Sequence, residues 1–336
     1  MNILSLFNGI SGLHLACEKA GILVDNCYFS EIDKFANQVT EHHYPNDISL
    51  GDVTKWKEWD IDWSSIDLVG AGFPCQAWSV AGKQLGDKDE RGMLFWTTLD
   101  IISHVLKSNP NAKFLMENVK MKKDFEEYIT HHTTEALGYV EKTLINSALV
   151  SAQNRNRYYW TNFPVTQPND EGILLCDVLE KTVDIKFNLS IEAIDYMGRL
   201  RNGKPRWEYH KNPINGKSAC LTANMFKGVP YGVLQIKNES ATKENKSYSL
   251  TASYGGAVAW NSCQKKQRTM VPVEETNIEN PNQYNGVLYR KLTPIECERL
   301  QTLPDNWTSV LSNTQRYKSI GNGWTIDVIA HILKHI

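Results

Sequence analysis

The sequence predicts an α/β protein in which a parallel, doubly wound sheet occupies residues 1–160. Short apolar runs of strand length alternate there with stretches whose apolar residues recur at helical spacing. Polar residues able to do chemistry fall where the strand-like runs end, and this architecture binds its ligands at the carboxyl ends of its strands. At 336 residues, the chain is long enough for this domain and a smaller second one.

The elements of the first domain follow from these patterns in chain order. The predicted strands are residues 3–7, 27–30, 66–71, 113–116 and 157–160. The predicted helices are residues 12–21, a stretch through Phe35 and Val39, a stretch through Leu94 and Leu106, and one capped by Thr293 and Glu296. Because the amino terminus reads as a strand without a basic leader, we expect no signal peptide.

A second, irregular and mostly β domain is predicted at residues 179–308, where the alternation is lost and Gly, Asn, Lys and Ser become common. It holds a short repeat, at residues 217–223 and 246–252. The last residues, 309–336, end in a helix with one apolar face. We therefore expect them to join residues 1–178 by packing on the first sheet.

Composition excludes several classes of protein. Hydrophobic residues make up 41% and charged residues 22% of the chain, as in ordinary globular domains. No apolar run approaches the ~18 residues of a membrane span. The seven cysteines are widely spaced and form no C-x-x-C pair. This argues against a disulfide framework or a zinc site, predicts no metal, and favours a reducing cytoplasm.

The net charge of −2 favours no particular partner, but its distribution along the chain does. Residues 186–275 carry 14 Lys and Arg against 7 Asp and Glu, a local charge of +7. A basic segment of this kind can dock on a polyanion such as nucleic acid. A solvated, loop-rich region with chance lysines is the alternative.

Cys75 is the candidate nucleophile. It lies in the sequence Phe-Pro-Cys-Gln at residues 73–76, on the loop that leaves the predicted strand 66–71, and Pro74 stiffens that loop. A thiol in this position suits covalent catalysis. A lone cysteine in other surroundings is more often a small buried hydrophobe.

The loop at residues 7–12 has two glycines that let a ligand approach the backbone closely. Its spacing matches neither the dinucleotide pattern G-x-G-x-x-G nor a P-loop, so it does not imply phosphates. Glu31 ends the second strand, where an acid accepts hydrogen bonds from ribose hydroxyls, and Asp52 can meet an adenine amino group. Together they predict an adenosine-bearing ligand without phosphates, although each acid singly is more often solvated.

Glu117 ends another predicted strand, on the same edge of the sheet as Cys75. A carboxylic acid that is partly shielded from water can donate a proton near neutrality. Gln153, Arg155 and Arg157 alternate along the last strand and are expected on one face. Two arginines on an apolar strand need an anionic or carbonyl partner; a solvent-facing edge strand is the alternative.

Six motifs, in this order, resemble those of DNA (cytosine-5) methyltransferases of the bacterial and phage type. They are Phe7-x-Gly9-x-x-Gly12, Pro74-Cys75-Gln76, Glu117-Asn118-Val119, Gln153-x-Arg155-x-Arg157, Arg290 through Pro304, and Gly321-Asn322-Gly323. The resemblance covers the chain except for about residues 165–285. It implies a Rossmann-like S-adenosylmethionine-dependent methyltransferase sheet with a target-recognition domain at 179–308.

The resemblance also implies a role for each motif residue. Cys75 would form a covalent adduct with C6 of a flipped cytosine, and Glu117 would contact the N3 edge and supply a proton. Arg157 would hold the ring O2, and Arg155 would orient the loop. S-adenosylmethionine, released as S-adenosylhomocysteine, would be bound by Phe7, Gly9, Ile10, Gly12, Glu31, Ile32, Asp52, Val53, Pro74, Asn322 and Gly323.

Double-stranded DNA is the partner that the resemblance implies. Its candidate contacts are Gln76, Ser79, Gln153, Arg199, Arg201, Lys227, Lys265 and Arg268. Glycines between residues 76 and 92 suggest a flap that closes over the flipped base. We further expect a cytoplasmic monomer from a bacterium or phage, which either accompanies a separate restriction endonuclease or serves phage self-protection.

Two alternatives stay open from the sequence. An RNA cytosine methyltransferase could use the same core, but the long basic segment argues against it. A catalytically silent DNA-binding relative would usually lack the nucleophile or the acid, whereas Cys75, Glu117, Arg155 and Arg157 are all present. A nicotinamide-dependent enzyme is disfavoured because the G-x-G-x-x-G pattern is missing.

Overall fold

A computed structural model describes residues 1–74, 93–187 and 290–336, together with the backbone of short strands between 187 and 290. The chain divides into two compact units. The first comprises Met1–Asn146, Asn156–Pro168 and Ile326–Ile336, and the second comprises Ser147–Arg155 and Asn169–Thr325. Among the described residues, no helix has both the length and the apolar character needed to span a bilayer.

A seven-stranded sheet forms the basis of the first unit. The strands up to residue 161 are β1 Asn2–Leu6, β2 Asn26–Ser30, β3 Ile48–Gly51, β4 Ile66–Ala71, β5 Lys113–Val119, β6 Glu141–Asn146, β7 Gln153–Asn154 and β8 Asn156–Thr161. The sheet has the order β3-β2-β1-β4-β5-β8-β6. Its neighbouring strands run parallel, as predicted, except that β8 is antiparallel to both β5 and β6.

The structure describes eight α-helices, and residues next to them in the sequence determine where some of them end. In chain order the described helices are α1 Gly12–Ala20, α2 Lys34–His43, α3 Met93–Ser108, α4 Lys123–Leu137, α5 Leu175–Val178, α6 Pro294–Leu300, α7 Asn313–Asn322 and α8 Ile326–Leu333. Gly21 ends α1 in the left-handed region (φ 79°), which favours glycine, and its N–H donates to the Glu18 carbonyl. The carboxyl-terminal helix α8 packs against α1, where Lys19 and Asp327 form an ion pair at 2.7 Å.

The core of the first unit lies around the central strands. Leu4 and Leu6 of β1, with Phe114 and Met116 of β5, are fully or almost fully buried. On β4, Gly70 lets α1 approach closely, because an added Cβ at this position would lie 2.8 Å from Leu13 Cδ1. The residue types on β1, β4 and β5 therefore place these strands in the middle of the sheet, with their carboxyl ends along one edge.

The second unit contains α5 to α7 and several short strands. Its strands beyond residue 187 are β9 Leu200–Arg201, β10 Lys204–Pro205, β11 Asn224–Phe226, β12 Ser247–Tyr248, β13 Tyr254–Gly255, β14 Val271–Val273, β15 Gln283–Tyr284 and β16 Val287–Arg290. Among the described strands of this unit, β14, β16 and β15 form an antiparallel three-stranded sheet. These boundaries differ from the predicted split at residues 178/179 and 308/309, since residues 147–155 and α7 fall in the second unit. The predicted role of residues 179–308 stays a prediction.

Helix α6 begins with the predicted capping box. Thr293 Oγ1 accepts from the Glu296 N–H at 3.1 Å, and Glu296 Oε2 accepts from the Thr293 N–H at 2.8 Å. Arg290 adds two bonds of 2.7 Å to the same buried carboxylate. The first turn of α6 is therefore held from both sides of its amino terminus.

Candidate active site

Glu117 and Arg157 form an ion pair at the end of β5. The Arg157 Nε lies 3.0 Å from Glu117 Oε1, and the side chains are only 12% and 11% exposed. The pair results from the register of β5 and β8, in which Glu117 opposes Tyr159 and Val119 opposes Arg157. Since side chains two residues apart share a face of a strand, Arg157 reaches Glu117 diagonally. A carboxylate and a guanidinium are thus fixed together where β5 ends.

The start of the loop that carries Cys75 is anchored to the same strand end. Asn118 Nδ2 donates to the Phe73 carbonyl at 3.1 Å, while its Oδ1 accepts from the Val119 N–H at 2.8 Å. Both Asn118 and Phe73 are buried, and the Phe73 ring packs against Phe95 with 5.4 Å between centroids. The backbone two residues before Cys75 is therefore held against the residue that follows Glu117.

Several predicted site residues lie outside the described part of the chain. They are Cys75, Gln76, Ser79, Arg199, Lys227, Lys265 and Arg268, together with the predicted flap at residues 76–92. Arg201 is described only as backbone, in β9. The nucleophile and most DNA-contact residues therefore stay predictions.

The continuous strand expected through Gln153, Arg155 and Arg157 is interrupted at Arg155, between β7 and β8. In the second unit, Arg155 Nη2 donates to the Gly323 carbonyl at 2.8 Å, and the Arg155 side chain is buried. Gln153 is also completely buried, and its Nε2 donates to the Leu300 carbonyl at 2.8 Å. The Gln153 side chain is therefore held inside the second unit, and its DNA contact stays a prediction.

The loop between β1 and α1 has an unusual backbone. Phe7 (φ 55°), Gly9 (φ 57°) and Ser11 (φ 64°) all adopt left-handed conformations. Only glycine adopts this region freely, so Phe7 and Ser11 store strain of about 1–3 kcal/mol each. At Gly9 an added Cβ would approach only the Phe7 carbonyl, at 4.0 Å, so the glycine is needed for its φ and not for space. Strain of this kind concentrates at ligand-binding turns.

Glu31 fixes this loop from the end of the neighbouring strand β2. Its Oε2 accepts from the Gly9 N–H at 2.8 Å, and its Oε1 accepts from the Ile32 and Asp33 N–H groups, also at 2.8 Å. The carboxylate is therefore oriented by three backbone donors while staying partly exposed. Next to it, the apolar Ile32 side chain is 77% exposed, as expected of a surface that a ligand covers.

Asp52 follows β3 on the same edge of the sheet. Its Oδ1 accepts from both the N–H and the hydroxyl of Thr54 at 2.9 Å, and these bonds lower the pKa of the Asp52 carboxyl. The carboxylate is therefore ionised near neutrality and can accept hydrogen bonds from an amino group. Val53, directly after it, is buried.

Asn8 is a residue of this loop that the sequence analysis did not single out. It is buried, and its Nδ2 donates to Thr40 Oγ1 at 3.1 Å, while its Oδ1 has no hydrogen-bond partner among the described residues. Its position in the sequence between Phe7 and Gly9 could have identified it as a residue of the cofactor loop. The strained turn, the oriented Glu31, the exposed Ile32 and this unpaired oxygen fit a loop that closes around an adenosine-bearing cofactor.

Asn322 and Gly323 lie at the carboxyl end of α7, in the second unit. The Asn322 side chain is exposed, and the Gly323 N–H donates to the Ser319 carbonyl at 3.0 Å. Gly323 has an ordinary φ of −71°, so its backbone conformation does not require glycine. Its carbonyl accepts from Arg155 and also from Gln301, a residue that the sequence analysis missed.

Three other cysteines are built into the core. Burial raises the pKa of Cys17 to about 12 and raises the pKa values of Cys27 and Cys297 well above their ordinary range. Cys27 lies near His14 and Asp47, with ligand atoms all within 4.8 Å. The 3.0 Å between His14 Nδ1 and Asp47 Oδ2 is that of a hydrogen-bonded pair, so we assign no metal here.

The seven-stranded sheet has the Rossmann-like fold of S-adenosylmethionine-dependent methyltransferases, and the strained loop after β1 and the acids after β2 and β3 fit that class. The profile of the C-5 cytosine-specific DNA methylases matches residues 1–336, and the chain belongs to this family. It is a DNA cytosine-5 methyltransferase with S-adenosylmethionine as its cofactor and S-adenosylhomocysteine as the product. The resemblance inferred from the six motifs is confirmed.

Individual relatives agree with this assignment. The Type II methyltransferase M1.ScrFI of Lactococcus lactis subsp. cremoris is 30% identical over 344 residues, which are 97% of this chain and 75% of that protein. The Type II methyltransferase M.SsoII of Shigella sonnei is 32% identical over 351 residues, 99% of this chain and 79% of that protein. The structure of the Entamoeba histolytica methyltransferase EhMeth has a TM-score of 0.66, with 100% of this chain and 97% of that chain covered. At 16% identity, it supports the fold alone.

Proposed function

We propose that this enzyme methylates C5 of a cytosine within one short sequence of double-stranded DNA, through a covalent adduct between Cys75 and C6. The observation that supports this best is the Glu117–Arg157 pair, at 3.0 Å, on the strand end where Asn118 anchors the Cys75 loop. A side chain cannot reach C6 inside a duplex, so the base must be flipped out.

The proposed chemistry uses these residues in sequence. The Cys75 thiolate would bond to C6, the electrons of the 5,6 double bond would move toward C5, and Glu117, in its protonated form, would give a proton to N3. Bound S-adenosylmethionine supplies a methyl group that is electrophilic because it is attached to a sulfonium. Once C5 had gained the methyl group, water would accept the C5 proton, the 5,6 double bond would form again with expulsion of Cys75 as thiolate, and N3 would return its proton to Glu117.

Arg157 is suited to hold the cytosine O2. Its Nε contacts Glu117, and its Nη1 donates to the Asn156 carbonyl at 2.9 Å. Neither of these two contacts uses its Nη2. We infer that this nitrogen donates to O2, which would place the ring edge within reach of the Glu117 carboxyl.

The cofactor would be held mainly by the loop after β1 and by the acids of the neighbouring strands. Glu31 would accept from the ribose hydroxyls, and Asp52 and Val53 would flank the adenine. The remaining proposed contacts are Phe7, Gly9, Ile10, Gly12, Ile32, Pro74, Asn322 and Gly323.

Residues 179–308 would recognise the DNA sequence, with the local charge of +7 in residues 186–275 supporting phosphate contacts. Because M1.ScrFI and M.SsoII are named Type II methyltransferases, we propose that the enzyme acts beside a separate restriction endonuclease. We propose that it works as a monomer in the cytoplasm, where its DNA substrate lies.

The test is base-resolution cytosine methylation sequencing of a methylation-free host that expresses the gene. We expect one short motif to be methylated with the intact enzyme and no methylation with Cys75→Ser. Methylation that persists with Cys75→Ser would contradict the covalent mechanism. DNA without 5-methylcytosine from the intact enzyme would contradict the proposed substrate.

A further inference from the structure

Gln301 lies at the centre of a buried polar cluster in the second unit. It follows α6 directly, and its side chain is fully buried. Its Nε2 donates to the carbonyls of Ile320 at 2.9 Å and Gly323 at 3.1 Å. Its Oε1 accepts from Gln153 Nε2 at 3.1 Å and from Thr325 Oγ1 at 2.8 Å. Both ends of the carboxamide are therefore fully used.

The Gly323 carbonyl is the point where this cluster meets the proposed site residues. It accepts from Gln301 Nε2 and also from Arg155 Nη2, at 2.8 Å. Gly323 and the preceding Asn322 are proposed cofactor contacts, and Arg155 lies two residues before Arg157 in the chain. One carbonyl therefore joins a proposed cofactor segment to a proposed catalytic residue within the second unit.

The donor and acceptor requirements at this position select an amide. Two carbonyl oxygens, of Ile320 and Gly323, face the Nε2 end, while an N–H and an O–H face the Oε1 end. An ionised Glu at this position would oppose the two carbonyl dipoles, and an apolar side chain would leave four buried polar groups without this partner.

We propose that Gln301 is a positioning residue for methyl transfer. It holds the Gly323 carbonyl where Arg155 can bond to it, and so fixes the Asn322–Gly323 segment against Arg155 within the second unit. Gln301 itself touches no reacting atom. The inference rests on the proposed function, because it takes Asn322, Gly323 and Arg155 as site residues.

The test compares Gln301→Met with a matched control, Tyr317→Phe, in the full-length protein. Gln301→Met keeps the length of the side chain and removes all four hydrogen bonds. Tyr317→Phe removes one buried bond in the same unit, from the Tyr317 hydroxyl to the Leu292 carbonyl at 2.6 Å. Thermal unfolding reports stability, and calorimetric titration with S-adenosylhomocysteine reports cofactor binding without needing turnover.

We expect Gln301→Met to weaken S-adenosylhomocysteine binding and to raise the KM for S-adenosylmethionine about tenfold. Of the four bonds that it removes, one holds the Gly323 carbonyl, and the loss of one buried hydrogen bond commonly changes an affinity by about this factor. The KM for DNA should stay within about twofold. Tyr317→Phe should lower the unfolding temperature and leave cofactor binding unchanged.

An unchanged affinity in Gln301→Met, beside a lowered unfolding temperature, would overturn the proposal and leave Gln301 a structural residue. Should Gln301→Met fail to fold, Thr325→Val provides the second test, since it removes one hydroxyl, which donates to Gln301 Oε1 and accepts from Ser147 Oγ at 2.9 Å. A loss of cofactor affinity in Thr325→Val that is smaller than in Gln301→Met would support the proposal. An unchanged affinity in Thr325→Val would overturn it. Failure of the proposed function would show separately, as a wild-type enzyme that binds cofactor but leaves cytosine in DNA unmethylated.

Discussion

Arg157 Nε lies 3.0 Å from Glu117 Oε1, and the antiparallel pairing of β8 with β5 brings these side chains together. In a parallel arrangement, the amino end of β8 would lie at the opposite edge of the sheet from the carboxyl end of β5. Because β8 is reversed, its first residues, with Arg157, lie beside the last residues of β5, with Glu117.

Replacing Arg157 with Lys should impair the chemical step. Lysine keeps the charge but lacks the planar fork that can donate to Glu117 and to a cytosine O2 together. We expect kcat to fall about 10²-fold or more, as when other preorganised donors are removed, with S-adenosylhomocysteine affinity unchanged. Methyl transfer at saturating DNA and cofactor measures this. A kcat within twofold of the wild type would rule out a role for the fork.

Replacing Glu31 with Gln should weaken cofactor binding. An amide presents only one acceptor oxygen, so the N–H groups of Gly9, Ile32 and Asp33 cannot all keep their bonds. Hydrogen bonds to a charged group contribute about 1.5–3 kcal/mol, so S-adenosylhomocysteine affinity should fall at least tenfold in calorimetric titration.

The matched control for this prediction is Glu18→Gln. Glu18 also accepts a hydrogen bond in the first unit, from the Tyr44 hydroxyl at 3.1 Å, but it lies on α1, away from the loop at residues 7–12. Equal losses of affinity in both variants would argue against a specific role for Glu31.

Replacing Gly70 with Ala should destabilise the first unit. The new Cβ would lie 2.8 Å from Leu13 Cδ1 and Cδ2, in a fully buried contact between β4 and α1. Such overpacking costs about 1–3 kcal/mol. Shortening Leu13 to Val in the Gly70→Ala protein should recover part of this loss. Urea unfolding of the wild type, the two single variants and the double variant should therefore give strongly non-additive changes in the free energy of unfolding. Additive changes in the free energy of unfolding would show that the side chains at positions 70 and 13 do not contact each other.

Thiol labelling should distinguish the buried cysteines from Cys75, the proposed nucleophile. Since burial raises the pKa values of Cys17, Cys27 and Cys297, these thiols stay protonated at pH 8, and thiolate is the form that reacts. Iodoacetamide should leave them unmodified in the native protein and modify them in urea, as peptide mass spectrometry can show. We expect loss of activity to follow modification of Cys75 alone; native labelling of Cys27 at a similar rate would contradict this.

Removing Arg316 should expose the cost of a buried charge. Glu298 is fully buried and accepts from Arg316 Nη2 at 2.9 Å, as well as from the N–H groups of Asn306 and Thr308. Arg316→Met leaves this carboxylate without its counter-ion, which commonly costs about 3–5 kcal/mol in free energy of unfolding.

The half-exposed pair of Arg299 and Asp305, at 2.6 Å, provides the comparison. Solvent screens such a pair, so Arg299→Met should cost about 1 kcal/mol or less. Urea unfolding of both variants measures this difference in the free energy of unfolding. Similar losses in the two variants would mean that other groups stabilise the Glu298 carboxylate when Arg316 is removed.

Local signals predicted much of the fold. The apolar run at 66–71 is β4 with the same bounds, and Thr293 and Glu296 form the predicted capping box of α6. Both follow from interactions between residues close in sequence. Strand β3, Ile48–Gly51, was missed because it is short and half-exposed and so carries no apolar run.

By itself, the sequence determined the class of fold, the family and the positions of Glu117 and Arg157 near strand ends, because periodicity, caps and motif order are local. Only the tertiary structure decided that β8 runs antiparallel, that Gln153 is buried, and that Gln301 joins Arg155 to Gly323. Gln153 and Gln301 are 148 residues apart, and Arg155 and Gly323 are 168 apart. Such partners are chosen by strand direction and packing across the whole chain, which no local pattern of residues encodes.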